Sequence, residues 1–168
     1  QIHSNYSPPK NLQKRIIKKT LIGLIPKKLK FKKYIYLYYE GEYVNGKKEG
    51  KGKEYDMLRR IGYEGEYKKG KKEGCGKEFD KDDIIVYEGE FKNGLRDGKG
   101  KEYDNNGTLI FEGEFKKGEK EGQGKEYDNN GILRFECEYK YNKRSGFGYV
   151  KEYDSKGNLA YEGEYKFW

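Results

Sequence analysis

The chain has 168 residues, of which 39% are charged and only 33% hydrophobic, and this excludes a thick globular core. Yet 16% are aromatic and 24 are glycine, a balance that disordered chains lack and that suits a thin sheet with rings in place of an aliphatic interior. The net charge of +8 sits at one end: residues 1–38 hold ten Lys and Arg and no acid, whereas residues 39–168 hold 27 basic and 29 acidic side chains, a net of −2, so a uniformly basic nucleic-acid-binding body is excluded too.

Residues 1–28 read as a basic arm. Pro8-Pro9 favours a short helix over Asn11–Leu24, with Leu12, Ile16 and Ile17 partly on one side, and Pro26 ends it. Its cations Lys14, Arg15, Lys18, Lys19, Lys27 and Lys28 are candidate contacts for anionic lipid, at ~1 kcal/mol per suitably placed charge. The plainer alternative is an arm that only caps the sheet. The apolar run Leu21–Ile25 is far too short to span a membrane. Leu29-Lys30-Phe31 aligns, 72 positions back, with Lys101-Glu102-Tyr103, so a decayed leading repeat is expected from Leu29 onward as an N-terminal cap.

From Tyr39 the chain repeats. The element aromatic-Glu-Gly-Glu-aromatic recurs at Tyr39, Tyr63, Tyr87, Phe111, Phe135 (with Cys137 for its glycine) and Tyr161, at spacings of 24, 24, 24, 24 and 26. The array therefore occupies residues 29–168, with five full units starting at 39, 63, 87, 111 and 135 and a partial one at 161. In the fourth unit Leu109, Phe111, Gly113 and Phe115 share one face and Glu112 and Glu114 the other, a strand period. Lys116-Lys117-Gly118 turns the chain, and a second strand runs through Gly122-Gln123-Gly124-Lys125-Glu126-Tyr127. Its two glycines are expected to leave room for rings from neighbouring strands. Asp128-Asn129-Asn130-Gly131 makes the next turn.

Three departures stand out. Met57-Leu58-Arg59-Arg60 replaces the Asn-Asn-Gly turn of the first unit, and a less regular loop is expected. In the fifth unit Asn142 replaces the turn glycine, Cys137 replaces the strand glycine, and two extra residues, aligned as Tyr149 and Val150, are expected to form a bulge or a longer hairpin. In the last unit Trp168 stands where Gly118 stands in the fourth, so the expectation is either a sequence that stops inside its repeat or an edge at Tyr161, Tyr165 and Trp168 that pairs with a second copy in an end-to-end homodimer.

These residues resemble the MORN repeat (membrane occupation and recognition nexus), whose pattern Tyr87, Gly89, Phe91, Gly94, Gly98, Gly100 and Tyr103 match in order. The resemblance implies an elongated single-layer sheet of stacked hairpins. It also implies scaffolding, membrane-tethering or dimerising roles, sometimes beside a catalytic domain. Periodicity alone gives an array in which each unit touches its neighbours, about twelve strands and roughly 50 Å long.

Little points to catalysis. The one histidine, His3, lies in the arm, and Cys75 has no histidine to serve as base. The Cys75 and Cys137 positions give no disulfide or metal spacing, so two free thiols in a reducing, cytoplasmic setting are expected. The recurrent Glu-Gly-Glu carboxylates are read as cross-strand partners of Lys53, Lys77, Lys101 and Lys125 rather than as an active site. Asp104-Asn105-Asn106-Gly107 is too short for a calcium loop and reads as a turn. Tyr43, Tyr67, Phe91, Phe115 and Tyr139 form a row on one face, either the core of the sheet or a groove for a peptide or helix.

The expectation is thus an all-β, single-layer antiparallel meander without cofactor or metal. It would act as a non-catalytic scaffold binding protein through its aromatic face or its ends. The alternatives are a peripheral tether at the cytoplasmic face of an anionic membrane, through the arm, and an accessory domain of a larger enzyme; nucleic acid is disfavoured by the acidic body.

Overall fold

A computed structural model describes residues 15–16, 38–56, 58–145 and 147–166. It contains the strands β1 (Arg15–Ile16), β2 (Tyr38–Val44), β3 (Lys47–Tyr55), β4 (Ile61–Lys68), β5 (Lys71–Phe79), β6 (Ile85–Lys92) and β7 (Leu95–Tyr103). They are followed by β8 (Leu109–Lys116), β9 (Glu119–Tyr127), β10 (Leu133–Lys140), β11 (Lys143–Arg144), β12 (Phe147–Tyr153) and β13 (Leu159–Lys166). All lie in one 13-stranded sheet, each paired with its sequence neighbour except that β10 pairs with both β11 and β12. Every pairing is antiparallel. The expected meander is therefore the observed one.

The N-terminal segment corrects one expectation. Arg15 and Ile16 are not helical; they pair with Tyr43 and Glu42 at the outer edge of β2. An exposed strand edge carries unpaired amides and carbonyls, and here two arm residues satisfy part of that edge. The rest of the arm, including Lys14, Lys18, Lys19, Lys27, Lys28 and Leu29–Phe31, lies outside the described residues.

Turn chemistry sets the register. The tight hairpin turns need two consecutive left-handed residues, and Asn93 (φ 55°) with Gly94 (φ 93°) supplies them. Tyr141 (φ 52°) and Asn142 (φ 62°) do the same without glycine, so the Asn142 replacement keeps the turn. At the opposite edge each loop is organised by an aspartate. The Asp104 carboxylate accepts from the amides of Asn106 and Thr108, both at 2.8 Å. The loop expected to be irregular is the same turn: Asp56 accepts from Leu58 at 2.8 Å and Arg60 at 3.0 Å. Arg59 takes the left-handed place at φ 63° that Gly107 holds at 79°. The aspartate, not the Asn-Asn-Gly sequence, builds the loop.

Neighbouring hairpins are locked at their turns. The Glu73 carboxylate accepts from the Asn93 amide at 2.9 Å, and Glu49 accepts from Lys69 at 2.9 Å. Each bond joins a second strand to the following turn, so the stack is fastened repeat by repeat.

The fifth unit differs otherwise than the alignment suggested. Phe135 pairs with Glu152 and Glu136 with Lys151, and Val150 pairs onward with Gly163. Val150 therefore occupies the place of the second strand glycine, and the extra length falls before Gly148 rather than at Tyr149-Val150. Val150 and Cys137 are buried, at 1% and 4% exposure. They fill the space that a ring lying on paired glycines fills elsewhere, and Phe135, unlike Phe111, is only half-buried.

Candidate functional site

The two faces of the sheet are chemically unlike. On one, Tyr63, Tyr87 and Phe111 lie flat over the glycines of their own hairpins and are almost wholly buried, at 1%, 0% and 0% exposure. Each ring meets the next edge-on: Tyr63 touches Tyr67 at 5.3 Å and Phe91 at 5.1 Å, and Tyr87 touches Phe91 at 5.3 Å and Phe115 at 5.1 Å. Such pairs add ~0.5–1.5 kcal/mol each beyond burial. The zipper runs from Tyr43 to Tyr139.

A roof of ion pairs closes this face. Lys72 reaches Glu78 at 2.6 Å, Arg96 bridges Glu78 at 2.9 Å and Glu102 at 2.7 Å, and Lys120 reaches Glu102 at 2.9 Å. Lys48 with Glu54 and Arg144 with Glu126 extend it to both sides. The cations also sit on the rings: Lys72 is 4.3 Å from the Tyr63 centroid and Arg96 4.2 Å from that of Tyr87. Burial drives the phenols up, Tyr39 to about 12 and Tyr63, Tyr67, Tyr87 and Tyr139 further. Glu78 moves the other way. Its burial favours the neutral acid, but Lys72 and Arg96 more than offset this and hold it below the ordinary range.

The row Tyr67, Phe91, Phe115 and Tyr139 is thus buried core, and Tyr43 at its end is half-buried. A thin sheet closes this face by laying rings on glycine and roofing them with charges, so no groove opens along the row.

The opposite face carries a trough of about 1450 Å³. Its floor is the backbone of paired glycines: Gly41 with Gly52, Gly65 with Gly76, Gly89 with Gly100 and Gly113 with Gly124. Along one side runs an alternating ladder with Lys53–Glu64 at 3.0 Å, Lys77–Glu88 at 3.2 Å, Lys101–Glu112 at 3.9 Å and Lys125–Glu136 at 2.9 Å. These are the cross-strand pairs expected of the Glu-Gly-Glu motif, each worth ~0.2–1 kcal/mol. Beyond the ladder Tyr55, Phe79 and Ile85 form an apolar flank. Tyr103 continues it and donates to Glu88 at 2.7 Å, which lowers the Glu88 acid; burial and that bond raise the Tyr103 phenol to about 12. Along the other side stand Lys51, Glu66, Cys75, Lys99, Glu114 and Gln123.

The two glycines of each Gly-x-Gly do different work. The second floors the trough and underlies a ring. The first, such as Gly74 at φ 70° or Gly98 at φ 115°, lies in a bulge beneath a glutamate. Cys75 is exposed and Cys137 buried, both free thiols. Burial raises the Cys137 thiol. At the far end Tyr161 is 42% exposed in β13, Tyr165 belongs to that strand, and Trp168 lies outside the described residues. Of the lipid-contact candidates only Arg15 is placed, in β1. Sequence reasoning missed the trough, although the residues flanking each glycine carried its ladder. Among the described residues no helix is long and apolar enough to cross a membrane.

The MORN repeat matches residues 39–56, 63–83, 87–109 and 111–132, and a MORN repeat variant matches residues 148–167. None of the curated proteins compared matches the chain. The unmatched stretch 133–147 includes Cys137, which stands in the place of a floor glycine. With matches over more than half its length and one hairpin per repeat in a single open sheet, the chain belongs to the MORN repeat family.

Proposed function

We propose that the chain is a non-catalytic interaction module that holds a partner protein along the glycine-floored trough. The observation that carries this is continuity: one trough runs from Glu40 across four hairpins to Glu136 on the first strand of the fifth, with backbone floor, charged walls and an apolar flank. A periodic surface of this kind suits an elongated ligand. The buried ring row gives the sheet its rigidity, and the open face does the binding. The test is affinity capture with the wild-type chain and with Cys75→Trp/Gln123→Trp, which fills the trough from exposed positions without touching the ring row. Partners held by wild type should be lost from the filled variant and kept by a turn variant, Lys69→Ser/Lys117→Ser. Capture unchanged by trough filling would overturn the reading.

A second reading rests on the hairpin-turn edge. Exposed lysines there, including Lys68, Lys69, Lys71, Lys92, Lys116 and Lys117, form no ion pair among the described residues. Leu95 and Tyr141 stand exposed between them. A row of cations with apolar tips suits an anionic bilayer surface, with the arm adding charge. Flotation with vesicles of phosphatidylserine and phosphatidylcholine tests it: binding should fall with salt and with Lys69→Ser/Lys117→Ser, and no binding at low salt would exclude it.

A further inference from the structure

The ladder beside the trough alternates in sign strand by strand, and that pattern points to a partner; the inference rests on the binding role proposed above. From Lys53 to Glu136 each strand contributes one ladder residue, Lys on β3, β5, β7 and β9 and Glu on β4, β6, β8 and β10. A row so evenly balanced favours neither a basic nor an acidic ligand. It is complementary to its own reverse.

A two-fold axis parallel to the strands, between β6 and β7, sets a second copy face to face with the first and reverses its strand order. Lys53 then meets Glu136 of the second copy, Glu64 meets Lys125, Lys77 meets Glu112 and Glu88 meets Lys101, and symmetry makes each contact twice. Across the floor the strand register runs Lys51–Glu66, Cys75–Glu90, Lys99–Glu114 and Gln123–Glu138. The same rotation sets Lys51 against Glu138, Glu66 against Gln123, Cys75 against Glu114 and Glu90 against Lys99, with no like charges opposed. The axis also leaves each strand end on its own side, so the apolar flank meets its own copy, Ile85 against Tyr103. Like charges approach only at the rims, as where Lys47 nears Lys140 and the Asp82 loop nears the Asp104 loop. Those groups are exposed, and solvent screens them.

The shapes agree as well. Sheets pack face to face with strands aligned within about 30°, which this rotation preserves, and the glycine floor leaves room for Lys and Glu side chains of the copy. Eight strands at ~4.8 Å by four residues at ~3.3 Å give about 500 Å² on each copy, or ~1,000 Å² together, the lower end of specific interfaces. We propose that the trough face binds a second copy of this chain in a two-fold, face-to-face dimer registered by the Lys–Glu ladder. Its small area makes the dimer concentration-dependent: Cys75 is open in the dilute single chain and covered when the copy is seated.

Sedimentation equilibrium with two charge-swapped variants tests this. The wild-type mass should rise from 19.8 kDa toward twice that with concentration. Lys77→Glu/Lys101→Glu sets acid against acid across the axis, and Glu88→Lys/Glu112→Lys sets cation against cation. Each alone should associate at least about ten-fold more weakly than wild type, and an equal mixture of the two, in which every swapped position meets its opposite, should recover the wild-type affinity. Circular dichroism checks that both variants fold. A wild-type mass fixed at 19.8 kDa up to about 1 mM, variants that dimerise alone as wild type does, or a mixture that fails to associate would overturn the proposal. If wild type stays monomeric while partner capture still responds to Cys75→Trp/Gln123→Trp, the binding role stands and this occupant falls. If capture does not respond either, both fall.

Discussion

Tyr63 lays its ring across the backbone of Gly76, so a Cβ on Gly76 would collide with the Tyr63 hydroxyl. The same holds in the next hairpin, where a Cβ on Gly89 would stand 2.6 Å from the Tyr87 hydroxyl. Backbone and ring are both fixed by their neighbours, so Gly76→Ala is expected to cost about 3 kcal/mol. Gly94, with nothing within 4 Å but a φ of 93°, should cost about 1 kcal/mol on the same change. Chemical denaturation of the two variants gives the order directly.

In the fifth hairpin Val150 and Cys137 stand where the others have glycine, and Val150 is 1% exposed. Val150→Gly alone empties that space and should cost about 2–3 kcal/mol. Cys137→Gly/Val150→Gly recreates a glycine floor on which Phe135 can lie. The double variant should therefore be more stable than the sum of its single costs by about 1 kcal/mol. A double-mutant cycle by urea unfolding measures the difference.

Glu78 joins two hairpins of the roof through Lys72 and Arg96. Its acid is held below the ordinary carboxylate range in the folded chain. A depressed folded pKa means that the unfolded chain takes up the proton first. The stabilisation is thus fully present at neutral pH and is lost as pH falls through the ordinary range toward the folded value. Glu78→Gln should cost about 1–2 kcal/mol at pH 7, and the gap from wild type should close below about pH 4. Unfolding at several pH values tests both the size and the sign.

Arg59 holds a left-handed backbone at φ 63°, where the corresponding Gly107 and Gly131 sit at 79° and 74°. A side chain there costs roughly 1 kcal/mol relative to glycine. Arg59→Gly should stabilise the chain by about that amount, because the Asp56 hydrogen bonds that build the loop do not involve the Arg59 side chain. A rise in melting temperature is the readout.

Much of this was legible in the sequence. The 24-residue period places every hairpin from Tyr39 to Tyr127, and alternation places Lys77 and Glu88 on a common face, where they pair at 3.2 Å. Alternation does not say which face closes. That depends on Tyr63 lying down on Gly76 and on Arg96 reaching back a whole hairpin to Glu78, neither of which a strand pattern encodes. The ring row therefore read as core or as groove. The insertion was misplaced for a similar reason: Val150 looks additional by composition, and only the pairing of Phe135 with Glu152 shows that it fills a glycine's place. The arm residues Arg15 and Ile16 looked helical because local sequence carries no trace of the β2 edge they join.

The central claim is that one face of the sheet is closed and the other open. The chain carries its own reporters, since Cys75 is exposed on the trough face and Cys137 is buried in the ring layer. The most direct measurement is the rate at which a maleimide modifies each thiol in the native protein, resolved by peptide mass spectrometry. Cys75 should react as a free surface thiol and Cys137 only as fast as the fifth hairpin opens. Modification of Cys137 at a rate equal to that of Cys75, or protection of Cys75 in the isolated chain, would contradict the account.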